Sequence, residues 1–195
     1  MDQAMQQRWN QRYREATVGQ GMPARVLAEH LHLLPASGRA LDLAAGLGAN
    51  SIALARAGLS VEAWDIASAA MSKLAEYAQA QGLNIRPRVC DVLAAPPPPA
   101  SFDVVIVSRF LERGLAQPLM QALRPGGLLF YQTFTQQRVG GGGPDNAAFR
   151  LAPNELLSLF TPLRLVLYRE EGRIGRLSEG FRNEAMLIAQ RPDDR

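Results

Sequence analysis

The stretch Leu41-Asp42-Leu43-Ala44-Ala45-Gly46-Leu47-Gly48-Ala49-Asn50 decides the fold. A short apolar run leads into a turn with two glycines, and a helix-forming run follows. Small residues in such a turn let the backbone approach a ligand closely, and the start of the helix offers unpaired N–H groups. Taken alone, the turn also fits a tight strand-to-helix connection that binds nothing.

Strands and helices alternate outward from this turn. The sequence predicts strands at 39–44, 61–65, 86–89, 102–108, 128–133, 163–168 and 185–189, and helices at 3–14, 23–31, 50–57, 68–81, 115–123 and 153–160. We expect Ser68 to cap its helix, and Pro125-Gly126 to end the helix at 115–123. Repeated alternation of this kind predicts an α/β fold with a mainly parallel sheet covered on both faces.

Length and composition favour one domain. The chain has 195 residues, of which 47% are hydrophobic, which is enough for one sizeable core. We expect a helical cap over residues 1–37 and a core over residues 38–195. The N-terminus is polar, no apolar run is long enough to cross a bilayer, and Cys90 is the single cysteine. These features favour a cytoplasmic protein with no membrane partner.

The basic charge does not by itself indicate a nucleic-acid partner. The net charge is +3, but the sequence has a single lysine, Lys73, and its arginines are scattered. No run of like charges with interleaved aromatic residues occurs. We therefore expect no nucleic-acid partner, since such partners bind clustered cations.

Three aspartates stand at or near the ends of successive predicted strands. Asp65 ends the second strand, where its carboxylate can accept hydrogen bonds from both hydroxyls of a ribose. Asp91 follows the third strand and can accept from an exocyclic amine such as that of adenine. Asp42 lies within an apolar strand and needs a partner, for which the ammonium group of a ligand is one candidate. Each aspartate taken singly also fits a helix cap or a solvated loop.

These residues resemble the motifs of the class I methyltransferases that use S-adenosylmethionine (SAM). The first motif of that family, acidic-x-Gly-x-Gly-x-Gly, is similar to 42–48 here, except that Ala44 replaces the first glycine. Other matches are Asp65-Ile66, Asp91-Val92, the strand 102–105 with Ser108 at its end, and Leu123-Arg124-Pro125-Gly126-Gly127. The resemblance implies a Rossmann-like three-layer sandwich whose mostly parallel seven-stranded sheet has an antiparallel C-terminal strand. It also implies SAM as cofactor and S-adenosylhomocysteine (SAH) as product, held by Tyr13, Asp42, Ala44, Gly46, Gly48, Asn50, Asp65, Ile66, Asp91, Val92 and Ser108.

Within that family the chain is similar to the small methyltransferases of the tellurite-resistance type. The resemblance is carried by 9–13 (WNQRY), 131–134 (YQTF) and 149–157 (FRLAPNELL). We expect a small methyl acceptor that is anionic or carries a thiol or another chalcogen. Arginines suit the recognition of such anions, and four of them stand near the expected mouth of the pocket. These substrate-binding candidates are Arg109, Arg173, Arg176 and Arg182.

No catalytic residue can be assigned from the sequence. The SAM sulfonium is already an activated methyl donor, so positioning and desolvation can supply much of the acceleration. His30, His32 and Cys90 show neither catalytic placement nor metal-ligand spacing, and we expect no metal. We further expect the N-terminal helix to fold over SAM, with Tyr13 or Arg12 reaching the methionine carboxylate, and 138–146 to form a lid.

Two other interpretations stay open at this point. Gly46-Leu47-Gly48-Ala49-Asn50-Ser51 nearly matches the turn of nicotinamide-dependent oxidoreductases, although Asp91 and the Pro-Gly-Gly turn then have no role. The chain also fits a SAM-binding or nucleic-acid-binding module without turnover, to which Ala44 lends some support. The sequence does not distinguish a monomer from a dimer.

Overall fold

The computed structural model describes residues 3–193. Its helices are α1 (Gln3–Tyr13), α2 (Arg25–Ala28), α3 (Ala49–Arg56), α4 (Ser68–Ala80), α5 (Ala116–Ala122) and α6 (Glu155–Leu159). Its strands are β1 (Arg39–Leu43), β2 (Ser60–Asp65), β3 (Ile85–Val89), β4 (Phe102–Ser108), β5 (Leu123–Phe134), β6 (Arg164–Arg169) and β7 (Glu184–Gln190). No helix in this range is long and apolar enough to cross a membrane.

The seven strands form one sheet in the order β3-β2-β1-β4-β5-β7-β6. Strand β7 pairs antiparallel with both β5 and β6, and the pairs among β1 to β5 are all parallel. The predicted mostly parallel sheet with an antiparallel C-terminal strand is therefore confirmed. The carboxyl ends of β1, β2, β4 and β5 meet at one edge, and the antiparallel β7 begins at that same edge.

The sheet lies between two layers of helices. Alternate residues of each strand face opposite sides, so that in β1 Ala40 packs toward one layer and Leu41 toward the other. Helices α2, α3 and α4 cover the first face, and α5 and α6 cover the second. This arrangement confirms the expected three-layer sandwich.

Several predicted boundaries are wrong. The helix expected at 23–31 is only α2, followed by a 3-10 turn at Leu31–Leu33, and the helix expected at 153–160 is reduced to α6. Pro125-Gly126 does not end α5, which stops at Ala122, because β5 already begins at Leu123. The Pro-Gly pair lies inside β5 at a shift of register against β4, where an unpaired proline and a left-handed glycine are tolerated.

The cap of α4 also differs from the prediction. The Ser68 side chain does not cap its own helix, whose N-cap residue is Ala67. Instead, Asn10 Oδ1 accepts hydrogen bonds from the Ala69 N–H at 3.0 Å and from the Ser68 hydroxyl at 3.4 Å. A side chain of α1 thus satisfies a free N–H at the start of α4, and this contact docks the N-terminal helix on the core.

Candidate functional site

The glycine turn connects β1 to α3 in left-handed backbone conformations. The φ angles are +57° at Ala44, +54° at Gly46 and +75° at Gly48. Glycine adopts such angles freely, whereas a residue with a Cβ adopts them at a cost of about 1 kcal/mol or more. Ala44 therefore occupies a position whose geometry suits the glycine that the family motif has there.

Asp42 lies beneath this turn and is completely buried. Its Oδ2 atom accepts from the Ser51 N–H at 2.9 Å and from the Ser51 hydroxyl at 2.6 Å, which ties the first turn of α3 to β1. Its Oδ1 atom has no hydrogen bond to any described residue. Burial, only partly offset by the Ser51 hydrogen bonds and by the nearby Asn50 amide, raises the pKa of Asp42 to about 6. A cation bound above the turn would favour the ionised carboxylate.

Asp65 joins the turn to the next loop. Its Oδ2 atom accepts from the Gly46 N–H and its Oδ1 atom from the Ala67 N–H, both at 2.8 Å. Burial raises the pKa of this carboxyl, against the lowering effect of the backbone hydrogen bonds. Each carboxylate oxygen can accept a second hydrogen bond, so Asp65 can hold both loops and still receive ribose hydroxyls.

The residues expected around the adenine follow β2 and β3. Asp91 Oδ1 accepts from the Leu93 N–H at 3.1 Å and so stabilises its own turn, and Val92 beside it is buried. The carbonyl of Ile66 accepts from the Gln6 side chain at 3.1 Å. The structure therefore places Asp91, Val92 and Ile66 at the carboxyl edge of neighbouring strands, as the sequence predicts, and their contact with a cofactor stays a prediction.

Helix α1 covers the glycine turn. The Tyr13 hydroxyl lies so close that a Cβ built on Gly46 would be 2.7 Å from it. Trp9 stacks on Tyr13 with ring centroids 5.8 Å apart, and burial together with the charge of Asp65 raises the pKa of Tyr13 to about 12. The phenol therefore stays protonated at neutral pH and can donate a hydrogen bond. Lys73 Nζ donates to the carbonyls of Tyr13, Arg14 and Ala16, which fixes the end of the helix.

Beyond the turn, polar side chains gather where β4 and β5 end and β7 begins. Asn50 donates to the Ser108 hydroxyl at 3.0 Å, and Gln132 donates to Glu184. Glu184 also accepts from Arg109 Nε at 2.9 Å. Sequence reasoning missed Gln132 and Glu184 as site residues, and the available signal was a polar residue at the end of one apolar run and another just before the next.

The four candidate arginines do not share one environment. Arg109 follows β4, and Arg173, Arg176 and Arg182 lie in the connection between β6 and β7. Arg182 donates to the carbonyls of that connection and Arg173 to the Arg138 carbonyl, so both hold loops in place. Arg176 is largely exposed and pairs with Glu179. Of these four arginines, Arg109 alone adjoins the polar side chains at the ends of β4 and β5. That any of the four binds the substrate stays a prediction.

The glycine-rich segment 138–146 is held from below by Arg150. This buried guanidinium donates to the carbonyls of Thr135, Gly142 and Pro144 at 2.6–2.9 Å. Cys90 is buried, which raises the pKa of its thiol. His30 Nδ1 lies 2.9 Å from the Val26 carbonyl, and its ring lies beside that of His32. Within residues 3–193, no group of three histidines, cysteines or acids has the geometry of a metal site.

Comparison with known protein families identifies the part of the chain that contains the glycine turn. Residues 40–127, which contain the glycine turn, Asp65 and Asp91, match the family model described as a methyltransferase domain. Residues 40–127 therefore carry a methyltransferase domain. Its cofactor is accordingly SAM, and the oxidoreductase interpretation is set aside. No curated protein matches the sequence.

Solved structures share the fold of this methyltransferase. One of them is described by the conversion of a disulfide bond into a thioacetal group during echinomycin biosynthesis. It is 23% identical to this chain and has a TM-score of 0.72, and the match covers 98% of this chain and 94% of that one. TehB from Haemophilus influenzae is 20% identical with a TM-score of 0.70, over 88% of this chain and 63% of its own. A SAM-dependent methyltransferase from Methanosarcina mazei is 20% identical with a TM-score of 0.67, over 89% and 100%. At these sequence identities, the similarity of the structures establishes the shared fold and nothing further.

The residues present fit the cofactor. The buried Oδ1 atom of Asp42, which makes no hydrogen bond within residues 3–193, suits a nearby ammonium group, and Gly46 and Gly48 place no side chains of their own in the turn before α3. Asp65 keeps lone pairs for hydroxyl donors. Tyr13 adds a neutral donor above the turn. These four features meet at the carboxyl edge of β1 and β2.

Proposed function

We propose that this protein transfers the methyl group of SAM to a small acceptor that is an anion or carries an ionisable thiol or other chalcogen. The observation that carries the proposal is Arg109, whose Nε is fixed by Glu184 while its side chain is 66% exposed. A guanidinium placed at the end of β4 is suited to bind an oxyanion or carboxylate through its two terminal nitrogens.

Each part of the cofactor has a candidate partner in this proposal. Asp65 binds the ribose, and Ile66, Asp91 and Val92 surround the adenine. Tyr13, Asp42 and the turn residues Ala44, Gly46 and Gly48 lie around the methionine end. Asn50 and Ser108, joined by their own hydrogen bond, form the floor next to the reacting methyl group.

The chemistry requires little beyond positioning. SAM supplies an electrophilic methyl group on a sulfonium. The chain holds the acceptor in line with that group, and the helical cap of residues 1–37 excludes water. A thiolate or an oxyanion is already deprotonated and needs no general base. This agrees with the surroundings of Arg109, where a cation lowers the pKa of a bound acid and stabilises the attacking anion.

Sulfur is the first acceptor class to test. One fold neighbour is described by the conversion of a disulfide bond into a thioacetal group. We further propose a cytoplasmic location, which suits a chain with one cysteine, and a small-molecule partner rather than nucleic acid. Either a monomer or a dimer is compatible with this function.

The test is a methyl-transfer assay that measures SAH release with a panel of acceptors. The panel contains small thiols, selenite and tellurite, and as controls neutral amines and alcohols of similar size. Turnover of thiols or chalcogen oxyanions, lost in Arg109→Ala, supports the proposal. Turnover confined to the neutral acceptors contradicts the acceptor class, and SAH binding without any turnover supports a module that binds SAM but does not catalyse transfer.

A further inference from the structure

Two buried amide side chains hold the start of α2 against the core. Asn50 Oδ1 accepts from the Ala24 N–H at 2.8 Å, and Gln132 Oε1 accepts from the Val26 N–H at 2.7 Å. The first N–H groups of a helix have no partner within it, so they need acceptors from elsewhere. The position of α2 against the core, which we call the seating of α2, therefore depends on residues of α3 and β5.

The opposite ends of these amides reach the proposed acceptor site. Asn50 donates to the Ser108 hydroxyl, and Gln132 donates to one oxygen of Glu184. The other oxygen of Glu184 accepts from Arg109 Nε. We call the hydrogen-bonded series Val26, Gln132, Glu184 and Arg109 the Gln132 network. Gln132 and Glu184 are 98% and 92% buried, so water cannot readily replace their hydrogen bonds.

Arg109 is held in an unfavourable backbone conformation at the end of this network. Its φ is +53°, and its N–H donates to the Gln132 carbonyl at 2.8 Å. Left-handed backbone at a residue with a side chain persists where the surroundings enforce it, and it concentrates at functional sites. The terminal nitrogens of Arg109 make no hydrogen bond within residues 3–193, so Glu184 alone orients the guanidinium.

We propose that Gln132 and Glu184 are positioning residues that couple the seating of α2 to the orientation of the Arg109 guanidinium. The inference rests on the proposed function, in which Arg109 meets an anionic acceptor. The first hydrogen bond fixes Gln132, the donor of the second, and the second fixes Glu184, the acceptor of the third, so a seated α2 favours the oriented guanidinium. By reciprocity, an anion on Arg109 favours the seated helix. Closure of the cap would thereby depend on the presence of the acceptor.

The substitution Glu184→Gln tests this coupling with little change of shape. A carboxylate offers two acceptor oxygens, and Glu184 uses one for Gln132 and one for Arg109. A carboxamide offers one acceptor oxygen and an NH2 group, which would face a donor. The variant must therefore lose one of the two hydrogen bonds and loosen the network.

Glu62→Gln is the matched control. One oxygen of Glu62 likewise accepts a hydrogen bond from an arginine, Arg39, at 2.8 Å. The other accepts one from a neutral N–H, that of Trp64 Nε1, at 3.1 Å. It lies on β2 and shares no hydrogen bond with the network. Any effect that comes merely from losing a carboxylate on the sheet appears in this control as well.

The first readout is hydrogen exchange of the Val26 amide in the intact protein, which needs no substrate. We expect Glu184→Gln to speed this exchange about tenfold, Gln132→Met to speed it at least as much, and Glu62→Gln to leave it within about twofold. Val26 shares no hydrogen bond with Glu184, so the effect must pass through Gln132. Equal exchange in Glu184→Gln and the parent protein overturns the proposal.

The second readout is the kinetics of whichever anionic acceptor is turned over. We expect Glu184→Gln to raise the KM of the acceptor about tenfold and that of SAM less than about threefold. Equal effects on both KM values contradict a role directed at the acceptor. If no anionic acceptor is turned over, the proposed function fails, and the exchange of Val26 still decides whether the network exists.

Discussion

Asp42 makes the stability of this protein depend on pH in a way that a bound cofactor should reverse. Burial raises its pKa from 3.8 to about 6. The folded state therefore holds the proton more tightly than the unfolded state, and Asp42 contributes most stability below about pH 4. That contribution is lost as the pH rises through about 6, and the pKa difference corresponds to about 3 kcal/mol.

An ammonium group bound above the glycine turn should lower this pKa again. The Oδ1 atom makes no hydrogen bond within residues 3–193, and the surrounding low dielectric strengthens the attraction of a nearby cation. At pH 6, Asp42 in the free protein is about half protonated, so binding of SAH should release about half a proton. The affinity for SAH should correspondingly rise between pH 5 and pH 7.

Calorimetric titration with SAH in buffers of different ionisation enthalpy measures this proton release. The control is Asp42→Asn, which keeps an acceptor for Ser51 but cannot titrate. We expect release near pH 6 in the parent protein and none from this site in the variant. Equal release in both proteins, or none in either, would refute the reasoning that Asp42 senses the ligand cation.

Three further changes probe the turn, the cap and the glycine-rich segment. Ala44→Gly should stabilise the protein by about 1 kcal/mol in thermal denaturation because it relieves the left-handed φ, whereas Ala45→Gly next to it should not stabilise. Lys73→Met removes three hydrogen bonds at the end of α1 and should weaken SAH binding several-fold in calorimetry; unchanged affinity would show that α1 does not cover the cofactor. Arg150→Met should speed proteolysis within 138–146, and SAH should slow cleavage in the parent protein if this segment is a lid; cleavage rates unaffected by SAH would argue against closure.

Local patterns in the sequence were sufficient to locate seven strands and the turn, although β5 begins five residues before the predicted 128. The run 102–108 is apolar enough to predict β4 with its correct ends, and the small residues at 44–48 predict the turn before α3. The same reasoning failed where a local preference was overridden. Pro125-Gly126 usually ends a helix, but here β5 already pairs with β4 at Leu123, and both residues lie in the register shift that follows.

Long-range side-chain contacts were not accessible to such patterns. Gln132 is hydrogen-bonded to Val26, 106 positions earlier, and to Glu184, 52 positions later. Asn10 caps α4 from a distance of 59 positions, so the local candidate Ser68 was the wrong one. The contact of Gln132 with Glu184 follows from the order of strands in the sheet, which brings the start of β7 beside the end of β5.

Calorimetric titration with SAH tests the central claim most directly, with NAD and NADP as controls. Asp65→Ala serves as the site variant, and its circular dichroism and unfolding temperature verify that it folds. The account predicts that SAH binds the parent protein, that neither nicotinamide nucleotide does, and that binding is lost in the folded variant. Absence of SAH binding, or preference for a nicotinamide nucleotide, would contradict the assignment of this turn to SAM.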